Sequence, residues 1–150
     1  YQNDVVIKQR FDIINLEKPK EVTNVHIIGN INRAIYECIT HDITTDEVII
    51  TDERIQHIVD RHPNDYELYY TYLKDIIENP DYIIESNKKD TALILKEIIR
   101  SDEKKFKAVL RLKTSRDKKE FKNSIITFMK INEKEWSRLI RNKHILYKKE

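Results

Sequence analysis

Glycine is almost missing from this chain: Gly29 is the only one in 150 residues. That excludes a P-loop and a glycine-rich dinucleotide cradle, because both need glycines to bring backbone amides against phosphate. Cysteine is equally scarce. Cys38 stands alone, so there is no internal disulfide and no zinc site built from cysteines. No apolar run approaches the roughly 20 residues that cross a bilayer as a helix. The chain opens Tyr1-Gln2-Asn3-Asp4, with neither Met nor a basic-then-apolar leader. The expectation is a soluble domain, cut from a longer protein or left by processing. What is present suffices for a core: 39% hydrophobic residues, with one Trp, eight Tyr and four Phe. Despite a mean hydropathy of −0.67, disorder is not expected, and the length suits one compact domain.

Charge is the first informative feature. Residues 1–85 carry 8 Lys and Arg against 17 Asp and Glu, whereas residues 86–150 carry 20 against 9. Asymmetry of this size fits a basic surface for a polyanion, built from the C-terminal part. It also fits two halves that pack together and neutralise each other.

The N-terminal stretch reads as short β segments. Val5-Val6-Ile7, Val25-His26-Ile27-Ile28 and Val48-Ile49-Ile50 are β-branched runs of strand length, Gly29-Asn30 reads as a turn, and Ala34 to Ile39 is either a strand or a short helix. Thr51 or Asp52 caps a helix carrying Ile55, Ile58 and Val59 at helical spacing and ending at Pro63. A second helix is predicted from Asp65 to Glu78, with Tyr69, Tyr72, Leu73 and Ile76 as its apolar stripe. Strands follow at Tyr82–Ile84, Thr91–Ile99, Phe106–Thr114 and Ser124–Ile131, with links short and polar enough for hairpins. Asn132 caps a last helix that buries Trp136 and Leu139, and His144 to Tyr147 closes as a strand. Helices followed by an antiparallel meander make an α+β plan.

The residues that could carry chemistry are basic. Arg54, His57 and Arg61 share one helix stripe, away from Ile55, Ile58 and Val59. Neighbouring guanidiniums favour the neutral imidazole that a general base needs; the alternative is an incidental His on a solvated face. His62, before Pro63, is either catalytic or a packed residue capping a carbonyl. His57 and His62, five apart, point in different directions, which disfavours metal. Lys96 shares a face with Ile94 and Ile98, so it either snorkels to an edge or projects into a site. Lys107, Arg111 and Lys113 form a basic row on the next strand. Thr127 reads as a lone hydroxyl between Ile125 and Met129, with Ser124 on the other face. Metal-free RNA cleavage suits this set: a base for the 2′-hydroxyl, an acid for the 5′-oxygen and cations for phosphorane charge.

The run Ile50-Thr51-Asp52-Glu53-Arg54-Ile55-Gln56-His57-Ile58-Val59-Asp60-Arg61-His62-Pro63 carries an H-I-x-x-R-H-P signature. Asn79-Pro80-Asp81-Tyr82-Ile83, Leu95-Lys96 and Asn123-Ser124-Ile125-Ile126-Thr127 follow in order. Together they resemble the phage-borne nucleases of the barnase–EndoU–colicin–RelE superfamily, over about Val48 to Lys148. The resemblance implies N-terminal helices packed on a four-stranded antiparallel sheet, with residues 48–150 as the nuclease domain and residues 1–47 as an acidic, β-rich extension within one compact unit. It implies a metal-independent endoribonuclease, a toxin or phage effector, that cleaves RNA such as tRNA through 2′-hydroxyl attack to a 2′,3′-cyclic phosphate. Carried over by position, His57, Arg61, His62, Lys96 and Thr127 are catalytic. Arg54, Lys107, Arg111, Lys113, Ser124 and Tyr147 bind RNA, and no metal or other cofactor is called for. The setting implied is a larger phage or mobile-element polypeptide acting in the cytoplasm, with a cognate immunity or antitoxin protein and no membrane. The acidic N-terminal part would cover the basic surface or bind a partner. The rivals are a non-catalytic nucleic-acid-binding module and a protein-binding inhibitor domain.

Overall fold

A computed structural model describes residues 24–150; the run Val5-Val6-Ile7 lies outside them. The strands are β1 (Val25–Asn30), β2 (Glu47–Thr51), β3 (Tyr82–Ile84), β4 (Thr91–Ile99), β5 (Glu103–Arg111), β6 (Asn123–Ile131) and β7 (Ile145–Lys148). They form one seven-stranded sheet in the order β1-β2-β6-β5-β4-β3-β7. Neighbours are antiparallel except β2 and β6, which pair in parallel at Val48–Asn123 and Ile49–Ser124.

The expected four-stranded antiparallel sheet, with N-terminal helices packed on it and an N-terminal β-rich extension, is therefore corrected to a seven-stranded mixed sheet. The reason lies in β2. Val48, Ile49 and Ile50 are all buried, a continuous apolar run of the kind found in interior strands. It takes a place inside the sheet, between β1 and β6. At the far edge β7 adds to β3 through Ile83–Tyr147.

The helices are α1 (Arg33–Tyr36), α2 (Asp52–Arg61), α3 (Asp65–Tyr69), α4 (Leu73–Glu78) and α5 (Glu133–Asn142). The segment from Ala34 thus begins as a short helix. Thr51 caps α2, its hydroxyl accepting from Arg54 N–H at 3.2 Å; Asn132 does the same for α5 through Glu135 N–H at 2.8 Å. The single helix predicted over 65–78 is instead broken by a 3₁₀ turn at Tyr70–Tyr72. Side chains three residues apart eclipse in a 3₁₀ turn, and here Tyr69 and Tyr72 both reach Phe106, with centroids at 5.1 and 5.6 Å. Gly29 and Asn30 end β1 rather than turning. A Cβ at Gly29 would meet Glu78 Oε2 at 2.6 Å, and that same oxygen accepts from Asn30 N–H at 2.9 Å.

The sheet separates two apolar clusters. Ile55, Ile58, Tyr66, Leu73 and Ile76 of α2–α4 pack on Ala92, Ile94, Phe106, Ala108 and Phe128. On the opposite face Trp136 and Leu139 of α5 pack on Ile84 and Leu95. The part of that second face that borders β2 is left open, and the candidate site lies there.

Candidate nucleic-acid interface

A bulge sets which residues line the open face. Val109 pairs with Thr127 but Leu110 pairs with Ile125, so β6 carries one extra residue, Ile126. An extra residue reverses the alternation beyond it. Ile125 turns into the core, while Ser124, Ile126 and Thr127 line the open side. Thr127 therefore does not share a face with Ile125.

The open face holds a groove with two lobes. One, about 570 Å³, has a floor of Leu93, Val109, Ile126 and Thr127, with Thr91 beside it. Its walls are Arg54 from α2, Glu85 to Lys89 from the β3–β4 loop, Arg111, and Lys143 after α5. The other lobe, about 450 Å³, lies over Ile49, Ser124 and Ile126, below the β5–β6 loop at Asp117–Lys122. Arg54 and Arg111 border both lobes.

Arg111 is held in place. Its two terminal nitrogens donate to Asp117 at 2.9 and 2.8 Å, a fork geometry available only to arginine, and it also donates to the Leu112 carbonyl. Asp117 further accepts from Thr114 N–H at 2.8 Å. Arg111, then the Thr114 amide, hold the Asp117 carboxyl well below the usual carboxylate range, and Asp117 in turn raises Arg111. Ser115 bonds to Asp42, and Arg116 to Asp90, so the start of this loop is pinned at three points. Arg54, Lys88, Lys89 and Lys143 have no ion pair among the described residues. The Thr127 hydroxyl likewise has no hydrogen bond among them.

The structure brings together Arg54, Arg111, Ser124 and Thr127 of the residues singled out from sequence. His57 and Arg61 are exposed and continue the Arg54 stripe along α2, about 4.5 and 10 Å further down the axis. His62 is half-buried, its backbone N–H closing α2 on the Ile58 carbonyl. Lys96 goes elsewhere. It pairs across with Phe106, so it lies on the helix-covered face opposite Thr127, its ammonium 3.5 Å from Asp81 and its side chain 8% exposed. Tyr147 packs on the same covered side, against the larger core. Lys107 points toward α5, 3.8 Å from Glu135. Lys113 is half-buried and lines neither lobe.

Sequence reasoning passed over Lys88, Lys89 and Lys143, whose place in the groove comes from loops meeting over the sheet. It also left His26 without a role. His26 Nε2 lies 2.6 Å from Asp52 Oδ1, and Asp52 is 6% exposed at the start of α2. Only the β1–β2 pairing, His26 beside Ile50, makes that contact possible. Among the described residues no cluster of three His, Cys, Asp or Glu side chains could hold a metal ion, and no helix is long and apolar enough to cross a membrane.

Uncompensated cations around a free hydroxyl, with an apolar floor between them, suit a phosphate-bearing ligand. The sequence matches the phage Barnase-EndoU-ColicinE5/D-RelE like nuclease 2 family over residues 24–148, and the chain belongs to that family. Neither the curated proteins nor the solved structures include a match to it.

Proposed function

We propose that this nuclease-family chain is a metal-independent endoribonuclease, and that the groove receives the scissile phosphate. The observation that carries the reading is the unpaired Thr127 hydroxyl amid Arg54, Lys88, Lys89 and Lys143, in a chain of this family. Arg54 and Arg111 clamp the phosphate, and Thr127 donates to a non-bridging oxygen as charge develops there. His57, next along the Arg54 stripe, exchanges protons with the reacting oxygens, and His62 completes the acid–base pair. One imidazole takes the 2′-hydroxyl proton, the 2′-oxygen bonds to phosphorus, and the P–O5′ bond breaks. The 5′-oxygen leaves with a proton from the other imidazole, and a 2′,3′-cyclic phosphate remains. In this reading the chain is a toxin or phage effector domain, with tRNA as a natural target and an immunity protein as its partner.

The test is cleavage of total RNA and purified tRNA in EDTA. Wild type should yield fragments with 2′,3′-cyclic ends, with His57→Ala and Thr127→Val each at least about 10²-fold slower. Full activity of folded His57→Ala removes that residue from the mechanism. One observation favours the rival, a module that binds nucleic acid without cutting it: no histidine lines either lobe. Intact RNA after long incubation with a folded protein that binds it would establish that rival.

A further inference from the structure

We infer that the smaller lobe is a nucleobase pocket, in which the Phe121 ring stacks on one base of a single-stranded RNA. The inference rests on the groove receiving a phosphate chain and assigns the part of it that no phosphate contact explains. Phe121 is 50% exposed, the one aromatic ring among the large hydrophobic side chains left exposed in the described residues. It is held at the lobe's edge by a turn, its N–H donating to the Lys118 carbonyl at 3.0 Å, and Ile49 and Ile126 form the apolar wall below.

The charges divide the groove by ligand chemistry. In the larger lobe only Glu85 stands against the lysines and arginines. In the smaller lobe Asp117 is taken up by Arg111, but Glu53 and Glu120 remain. Carboxylates there repel phosphate yet accept N–H from the amino edge of a base. An apolar wall, a free aromatic face and acceptor carboxylates suit a base; the adjoining Arg54 and Arg111 suit the phosphate beside it. Stacking of bases on aromatic side chains tolerates any base identity and is typical of single-strand binding.

The experiment uses a 2′-O-methyl oligonucleotide, which cannot cleave by the 2′-hydroxyl route, so that binding is read without turnover. Phe121→Ala should weaken binding about tenfold, and Phe121→Trp should retain it with indole emission quenched on binding. An abasic residue scanned along the oligonucleotide should weaken wild type at one position by a similar factor and leave Phe121→Ala nearly unaffected there. Equal affinities of wild type and Phe121→Ala would overturn the pocket, as would a wild type that does not bind the oligonucleotide. Unchanged binding by Phe121→Ala alongside RNA cleavage by wild type would sink the pocket and spare the nuclease reading. Quenching of Phe121→Trp with RNA left intact would support the pocket and remove the nuclease reading.

Discussion

Asp117 holds in place the cation that the proposed function assigns to phosphate. A free arginine on a loop samples many rotamers and loses that freedom on binding. Arg111 is already fixed by two parallel bonds at 2.9 and 2.8 Å. Asp117→Asn keeps the shape but loses the ionic part of the fork, and should lower stability by about 2 kcal/mol at neutral pH. The sign of its pH dependence follows from the depressed carboxyl of Asp117. A carboxylate whose folded pKa lies below its unfolded value near 3.9 stabilises fully above about pH 4, and loses that contribution as pH falls further. Urea unfolding of wild type and Asp117→Asn should therefore differ most near pH 7 and converge below pH 4. A gap that stays constant to pH 3 would show that the fork is not what Asp117 contributes. His26 makes a second case. Asp52 Oδ2 is buried with no partner, so its other oxygen depends on His26 at 2.6 Å. His26→Ala should cost about 1–3 kcal/mol in chemical denaturation. A neutral result would mean that water replaces the imidazole.

At the scale of elements, local signals were legible and pairings were not. Thr51 and Asn132 announce their helices because a cap acts within three residues. The strict alternation of β5 places Phe106, Ala108 and Leu110 in the core. Lys96 was legible as a neighbour of Ile94 and Ile98, but nothing in β4 tells which face of the sheet stays open. Thr127 was misplaced relative to Ile125 because a one-residue bulge leaves no mark in a run such as Ser124-Ile125-Ile126-Thr127. The parallel β2–β6 contact joins segments some 75 residues apart in sequence, beyond any local pattern. Asn123 is the residue that secures it. Fully buried, it donates to the Thr45 and Glu47 carbonyls at 2.8 and 3.0 Å and accepts from Lys113 N–H at 2.7 Å. Asn123→Ala leaves three backbone groups unsatisfied and should cost about 2–4 kcal/mol, against about 1 kcal/mol for the exposed cap Asn132→Ala. Urea titrations of the two variants compare them directly; equal losses would mean that the β2–β6 junction does not depend on this side chain.

Across the whole molecule, the charge asymmetry of the sequence persists in the fold. Among the described residues only Lys96–Asp81 and Lys122–Glu47 pair a cation of the basic part with a carboxylate of residues 24–85. The basic part settles much of its own charge internally. Lys105 is bonded to Glu97, Glu103 and Glu133 at 3.1, 2.9 and 2.9 Å, and Arg138 is forked onto Glu135. Of the cations left over, Lys88, Lys89 and Lys143 line the groove. If they meet phosphates, each releases counterions on binding, and the slope of log K against log salt reports how many do so. Lys88→Ala and Lys143→Ala should each make that slope shallower by about 0.7 for a single strand. Arg138→Gln removes a cation that lines neither lobe and should leave it unchanged. Fluorescence anisotropy over a series of salt concentrations measures all three. Should Arg138→Gln shift the slope as far as Lys143→Ala, binding would follow the overall basic charge of the C-terminal part, and the groove would lose its claim to the phosphates.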